Sequence, residues 1–294
     1  MRKVAVEDTL RLIVGRLQLN LDASEANISM SLPPAHQQFN WSTRQVSETE
    51  VSSTLYLKVH NKAISPDLFA ADCLCKTEIF EIYQKSSGEL ITFAPRQKPP
   101  RAIVVDKNFL QGEIIGDFSR VAGRQFYPIQ YTDIVFFSNW LAHFGDLILH
   151  ASGVALDGQG YCFVGPSGAG KSTLVDALAY HTQVNILGED QVILRYLGGR
   201  FWIFGTPWHE KPERCSPIGV PLNTLFFLVK HEENHVMDIS ESEGFKRLMG
   251  SAFIPYYRPN AVNDIMATLN HLAEEIPFKE ISFILGTDVL PLIL

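Results

Sequence analysis

Hydrophobic and polar residues alternate along much of the first 128 residues of this 294-residue chain. The alternation is clearest from Thr54 to Val59, and it predicts a strand because neighbouring strand residues point to opposite faces of a sheet. The runs 78–83 and 90–93 flank Ser87-Gly88 and predict a hairpin. We therefore expect residues 1–128 to form a smaller, β-rich N-terminal domain.

Residues 129–294 combine short apolar runs with helical spacing. A helix is predicted over 133–144, with Thr132 as its N-cap and Gly145 as its stop. The pattern is interrupted just before it, which places the domain junction between Arg120 and Tyr131. The other predicted elements are a Gly198-Gly199 hairpin between 192–196 and 201–204, a strand at 225–229, helices opening at Ser240 and spanning 260–275, and a strand at 281–285.

A phosphate-binding loop is predicted between an apolar run at 161–164 and a helix-like run at 172–180. Glycines let the backbone wrap around a phosphate, while loop N–H groups and the positive end of the following helix attract its oxygens. The alternative, a Gly-rich turn without function, is disfavoured by the flanking strand and helix. The residues that match the pattern G-x-x-x-x-G-K-[ST] and its next position are Gly165, Pro166, Ser167, Gly168, Ala169, Gly170, Lys171, Ser172 and Thr173.

This loop predicts that the chain binds ATP together with Mg²⁺. We expect Lys171 to reach the β- and γ-phosphates and the hydroxyl of Ser172 to coordinate Mg²⁺. Downstream, Glu189 and Asp190 stand between two apolar runs. Adjacent carboxylates beside a triphosphate can hold Mg²⁺ or accept a proton from an attacking hydroxyl, although a solvated turn is the plainer alternative. We expect their strand to lie beside the loop strand in an α/β sheet, which favours a functional site.

Charge and hydropathy limit the classes of partner that we expect for this chain. Residues 1–128 carry 15 Lys and Arg against 14 Asp and Glu, whereas 129–294 carry 10 against 18. The acidic second half argues against nucleic-acid binding, because a polyanion would be repelled. The longest apolar stretch, 134–149, is interrupted by polar residues, and the N-terminus contains no signal-peptide core. We therefore expect no membrane partner and a cytoplasmic location.

The order of these motifs resembles a known family. Leu149-His150, the phosphate loop and the segment 187–192 are similar to the catalytic domain of HPr kinase/phosphorylase, over about residues 130–294. The segments 204–208 and 221–228 are more like the stand-alone HPr-kinase-like proteins. The resemblance implies an α/β P-loop kinase fold shared with phosphoenolpyruvate carboxykinases. It also implies transfer of the γ-phosphate of ATP to a serine hydroxyl.

By this resemblance, Glu189 falls where the family has the Asp that activates the hydroxyl, and Asp190 falls on its second Asp. Asp190 would bind Mg²⁺ with Ser172, and His150 would neighbour and orient Glu189. Which carboxylate is the base and which binds metal stays open. The Glu-Ile-Arg-Gly type segment of true HPr kinases is missing, which argues against HPr as the substrate. The family contains hexamers, and a homo-oligomer stays open here.

The sequence thus predicts an ATP-dependent kinase whose acceptor is a hydroxyl, with a serine of a peptide or protein favoured. A small-molecule acceptor and a non-catalytic, nucleotide-gated binding module are the alternatives. The irregular segment 206–220 is predicted to be an acceptor-binding lid, with His209 and Glu210 as acceptor contacts. Arg214 in this segment would either stabilise phosphoryl charge or form a structural ion pair.

Overall fold

The structure is a computed structural model that describes residues 7–43, 51–121, 126–209 and 211–294. The chain divides into two compact units, which meet in sequence between His143 and Phe144. The sequence pattern placed the junction before the helix predicted at 133–144, whereas this division places the helix in the first unit. None of the helices in the described ranges is both long and apolar enough to cross a bilayer.

The described part of the first unit is mostly β, as the alternating pattern predicted. In the strand Ser53–Asn61, for example, Leu55, Leu57 and Val59 are buried while Tyr56 is exposed. The strands of its eight-stranded sheet are β1 (Thr9–Val14), β2 (Leu17–Asp22), β3 (Ser53–Asn61), β4 (Asp72–Lys76), β5 (Glu81–Gln84), β6 (Leu90–Ala94), β7 (Arg101–Val105) and β8 (Gln111–Gly116). Their order in the sheet is β1-β2-β3-β8-β7-β6-β5-β4.

Helix α1 (Asp133–Ala142) closes the first unit. It ends two residues before the predicted end, and Gly145 follows with a positive φ of 74°. The hydroxyl of Thr132 does not cap the helix and donates instead to the Ile129 carbonyl at 2.9 Å. The carboxylate of Asp133 pairs with the Nε2 atom of His36 at 3.0 Å, and both side chains are buried.

The second unit is also mostly β, with few helices. The expected α/β architecture is therefore matched only in part, because six of the eight strand pairs in the described residues of this unit are antiparallel. Its strands are β9 (Leu147–Leu149), β10 (Ala151–Leu156), β11 (Gln159–Val164), β12 (Val184–Gly188), β13 (Val192–Tyr196), β14 (Phe201–Phe204), β15 (Gly219–Leu228), β16 (His235–Asp238) and β17 (Phe278–Ser282). Its helices are α2 (Lys171–Leu178), α3 (Glu241–Met249), α4 (Pro259–Glu275) and α5 (Leu290–Ile293).

The ten-residue strand β15 joins the two halves of this nine-stranded sheet. Its first residues pair with β14, and its later residues pair in parallel with β11 on one side and β17 on the other. β12 was expected beside β11, but it pairs with β10, which lies between the two. Because β10 is antiparallel to both, β11 and β12 still run in the same direction and end at the same edge.

Helix α2 is held against the sheet by its apolar face. Leu174 and Leu178 are fully buried in a cluster that includes Phe163 of β11 and Phe226 of β15. The rings of Phe163 and Phe226 stack with centroids 5.4 Å apart. The packing therefore fixes the start of α2 next to the end of β11.

A buried ion pair stabilises the other half of the sheet. The Nε atom of Arg195, on β13, donates to the Asp146 carboxylate at 2.6 Å, and their side chains are 2% and 5% exposed. Asp146 also accepts the backbone N–H of Tyr196 at 3.3 Å. Since Asp146 precedes β9, the pair secures β9 against β13.

We predict that Asp146→Ala lowers the free energy of unfolding by about 3 kcal/mol, because it leaves the Arg195 guanidinium buried without its carboxylate. The double variant Asp146→Leu/Arg195→Met should recover most of this loss, since neither charge is then buried. Chemical denaturation monitored by circular dichroism measures both values. A double variant less stable than Asp146→Ala would show that the pair stabilises the fold beyond neutralising two charges.

Candidate functional site

The three segments that the sequence predicts to be functional meet at one edge of the sheet in the second unit. Strand register places Ala151 opposite Val164, the last residue of β11, and Gly153 opposite Gly188, the last residue of β12. His150 precedes β10, the phosphate-loop sequence follows β11 and the carboxylates follow β12. The sheet therefore brings all three to the same edge, although they are separated by up to 40 residues in sequence.

The segment 165–170 forms a tight loop between β11 and α2. Gly168 and Gly170 have positive φ angles of 77° and 104°, which glycine adopts without strain. A Cβ on Gly165 would lie 2.9 Å from the Cβ of Ala169, so a side chain there would crowd the turn. The N–H of Ala169 donates to the Pro166 carbonyl at 3.1 Å. The loop matches the predicted strand–loop–helix arrangement.

The side chain of Lys171 folds back over this loop. Its Nζ atom donates to the carbonyl of Gly165 at 2.7 Å and to that of Pro166 at 3.3 Å. Burial lowers the pKa of Lys171, and the negative charge of Asp190 opposes that shift. Of the two carboxylates, Asp190 is the one whose charge acts on the pKa of Lys171.

The turn that carries the carboxylates is fixed through its backbone. The hydroxyl of Ser152 donates to the Glu189 carbonyl at 2.5 Å, and the N–H of Ala151 donates to the Asp190 carbonyl at 3.1 Å. A Cβ on Gly188 would lie 2.5 Å from the Gln191 carbonyl oxygen, so only glycine fits there. The backbone of both carboxylate residues is therefore held by β10.

The two carboxylates have different surroundings. The carboxylate of Glu189 is buried: Oε1 accepts from Nη1 of Arg214 at 2.9 Å, and Oε2 lies 3.2 Å from Nε2 of His209. The side chain of Asp190 is 51% exposed and lies 4.0 Å from the same His209 nitrogen. Arg214 also pairs with Asp176 on α2. Glu189 is thus held on both oxygens, and Asp190 is open to solvent.

Both ring nitrogens of His209 have partners. Nδ1 lies 3.0 Å from the backbone nitrogen and 3.2 Å from the carbonyl oxygen of Lys211. Nε2 is the ring nitrogen that faces the Glu189 carboxylate. The backbone at Lys211 therefore fixes the orientation of the imidazole towards Glu189.

The imidazole that contacts Glu189 is that of His209 and not that of His150. The backbone N–H of His150 donates to the Ser251 carbonyl at 2.7 Å, and within the described ranges its imidazole forms no hydrogen bond or ion pair with Glu189. The other predicted acceptor contact, Glu210, lies outside the described residues.

The sequence interpretation missed the contacts of His209 and Arg214 with Glu189. The signal that could have revealed them is the register of the predicted hairpin. Ile193 pairs with Phe204, so the chain leaving β14 arrives beside the strand that follows the carboxylates. The hydroxyl of Thr206 then donates to the Gln191 carbonyl at 2.7 Å.

No protein-family model matches this sequence, and no curated protein matches it. Among solved structures, the chain is similar to the Hpr(Ser) kinase/phosphatase from Coxiella burnetii, with 15% sequence identity and a TM-score of 0.26. The similarity covers 50% of this chain and 89% of that chain. A resemblance this weak assigns no function to the chain.

We predict that Arg214→Ala lowers the free energy of unfolding by about 2 kcal/mol, because the buried Glu189 carboxylate loses its cation. The matched control is Asp176→Ala, which removes the more exposed partner of the same guanidinium and should cost less than about 1 kcal/mol. Urea denaturation of the two variants measures the difference. Equal losses would mean that burial of Glu189 does not determine the strength of this network.

Proposed function

We propose that the protein is an ATP-dependent phosphotransferase that moves the γ-phosphate to a hydroxyl with Mg²⁺. The observation that carries this proposal is the meeting, at one sheet edge, of the phosphate-loop sequence with Lys171 and of the pair Glu189–Asp190. A serine of a peptide or protein is the favoured acceptor, in line with the resemblance of the motifs within about residues 130–294 to those of HPr kinases. We propose neither a nucleic acid nor a membrane as a partner. An ATP-dependent activity is consistent with the proposed cytoplasmic location.

The surroundings of each side chain support its role. Lys171 and the loop amides would hold the triphosphate, and the exposed hydroxyl of Ser172 would coordinate Mg²⁺. Asp190 would be the second metal ligand, because its carboxylate is half exposed and close enough to influence the pKa of Lys171. Mg²⁺ needs only one or two protein ligands when phosphates and water complete its octahedron.

Glu189 would accept the proton of the attacking hydroxyl. Both of its oxygens are engaged by protein donors, so one contact has to open first. The contact with His209 at 3.2 Å is easier to break than the shorter bond from Arg214 at 2.9 Å, because the guanidinium of Arg214 is always charged. The acceptor hydroxyl would therefore replace His209 on Oε2, while Arg214 keeps the carboxylate in place through Oε1.

The two contacts of the Glu189 carboxylate also support a second candidate function. A carboxylate held on both oxygens is what a structural ion pair requires, and a nucleotide-gated binding module would keep such a pair without using a base. The small-molecule kinase remains the third candidate, since the geometry concerns the phosphate donor more than the acceptor. The assay below distinguishes the three.

We expect transfer of labelled γ-phosphate from Mg·ATP into a host-cell extract that is then separated into peptide, protein and small-molecule fractions. Glu189→Gln is the blank, because it keeps the shape of the side chain and removes the base. Its kcat should fall on the order of 10²- to 10⁴-fold with nearly normal ATP affinity. Lys171→Ala should instead weaken ATP binding by about tenfold or more, since the phosphates lose a cation.

The labelled fraction identifies the class of acceptor. ATP binding without label in any fraction would favour the nucleotide-gated module over the kinase. An equal loss of ATP affinity in Glu189→Gln and Lys171→Ala would remove Glu189 from the role of base.

We also predict that the two histidines differ in their effect on the reaction. His209→Gln should lower kcat/KM for the acceptor about tenfold or more with little change in ATP affinity, because the contact that orients Glu189 before the acceptor binds is lost. His150→Gln is the matched control and should change kcat/KM less, since its imidazole does not contact Glu189 in the described structure. Steady-state kinetics with the labelled acceptor fraction compares them. A larger loss for His150→Gln would restore the role that the resemblance implied for it.

A further inference from the structure

A second group of residues lies beside the phosphate loop, on the side away from the carboxylates. Strands β11, β15 and β17 are parallel, so all three end at the same edge of the sheet. The segment after β17 begins with Phe283, whose ring is 3.7 Å from the position that a Cβ on Gly170 would occupy. Phe283 therefore lies next to the last residue of the loop.

The residues after Phe283 form a well-defined turn. The N–H of Thr287 donates to the Ile284 carbonyl at 3.1 Å, and Gly286 supplies a positive φ of 85° at the third position. The side chain of Asn234 anchors the turn by accepting the N–H of Ile284 at 2.8 Å. The turn is thus fixed by hydrogen bonds and does not depend on burial of its side chains.

The side chains on this turn are apolar and exposed. Leu285 is 77% exposed and Ile284 is 45% exposed, next to the partly buried Phe283. A rigid turn that holds adjacent apolar side chains in water gains no stability from them. An exposed apolar patch beside a binding loop is typical of a surface that a ligand covers. We call Phe283, Ile284 and Leu285 the apolar turn.

The order of the strands indicates which part of the ligand would reach this surface. Along the sheet the order is β12, β10, β11, β15, β17, so the carboxylates after β12 and the apolar turn after β17 lie on opposite sides of the phosphate loop. A nucleotide with its phosphates in the loop and its γ-phosphate towards the carboxylates points its other end towards β17. In open sheets, ligands bind outside the carboxyl ends of parallel strands.

We propose that the apolar turn binds the nucleobase of ATP. The base is the flat, weakly hydrated end of the ligand, and aromatic and aliphatic side chains bind it by contact area. This inference rests on the proposed function, since it needs the phosphates in the loop. It adds the orientation of the nucleotide, with the base on the β17 side and the acceptor on the β12 side.

The test compares Mg·ATP with Mg·tripolyphosphate, which carries the phosphates without the base. Calorimetric titration of the full chain should show that Leu285→Ser binds ATP about fivefold more weakly than the wild type, as expected for the loss of part of a buried leucine contact. Its affinity for tripolyphosphate should not change. The matched control is Met237→Ser, because Met237 is an exposed apolar side chain (47%) that lies on β16 opposite Glu280 and is not part of the apolar turn. It should change neither affinity.

A second variant gives a direct signal. Leu285→Trp should show a change of tryptophan fluorescence on addition of Mg·ATP that exceeds any change on addition of Mg·tripolyphosphate, because only ATP would stack on the indole. Unchanged ATP affinity in Leu285→Ser, with tripolyphosphate still bound, would overturn the role proposed for the apolar turn. It would leave the proposed function of the protein unaffected. A wild type that binds neither ligand would overturn the proposed function and this inference together.

Discussion

Burial of one carboxylate organises the candidate site. Removing the charge of Glu189 from water is unfavourable unless cations and hydrogen-bond donors replace the solvent. Arg214 and His209 supply these contacts, and both come from the segment that follows β14. Because Arg214 also reaches Asp176, the same ion pairs connect the end of β12 with the helix that follows the phosphate loop. A single desolvated charge therefore holds three separate segments around the sheet edge.

The parts of the fold that could be predicted from the sequence depend on residues that are close together along the chain. The apolar run before Gly165 and the helical spacing after Lys171 gave the β11–loop–α2 unit, because glycine geometry and helix amphipathicity are local. The hairpin of β13 and β14 has the bounds that its Gly198-Gly199 turn predicted. Ser240 caps α3 by accepting the N–H of Glu243, as the capping pattern indicated.

The parts of the fold that could not be predicted from the sequence depend on contacts between segments that are far apart along the chain. Nothing local in Val184–Gly188 distinguishes a neighbour at β11 from one at β10, since both partners present similar apolar runs. The proportion of antiparallel to parallel pairs likewise depends on the whole sheet, so the expected α/β architecture is matched only in part. The partner of Glu189 was sought in His150, which is close by in the family pattern, whereas His209 reaches it through the register of a hairpin.

The Lys171 side chain already makes hydrogen bonds inside the loop at 165–170. Its ammonium already fills part of the loop by bonding to the carbonyls of Gly165 and Pro166. A phosphate entering this loop, as proposed above, would therefore have to exchange partners with an internal cation and would not simply fill an empty space. The heat released on binding would then reflect the difference between two sets of charge-assisted hydrogen bonds, so a tight complex can form with a small enthalpy.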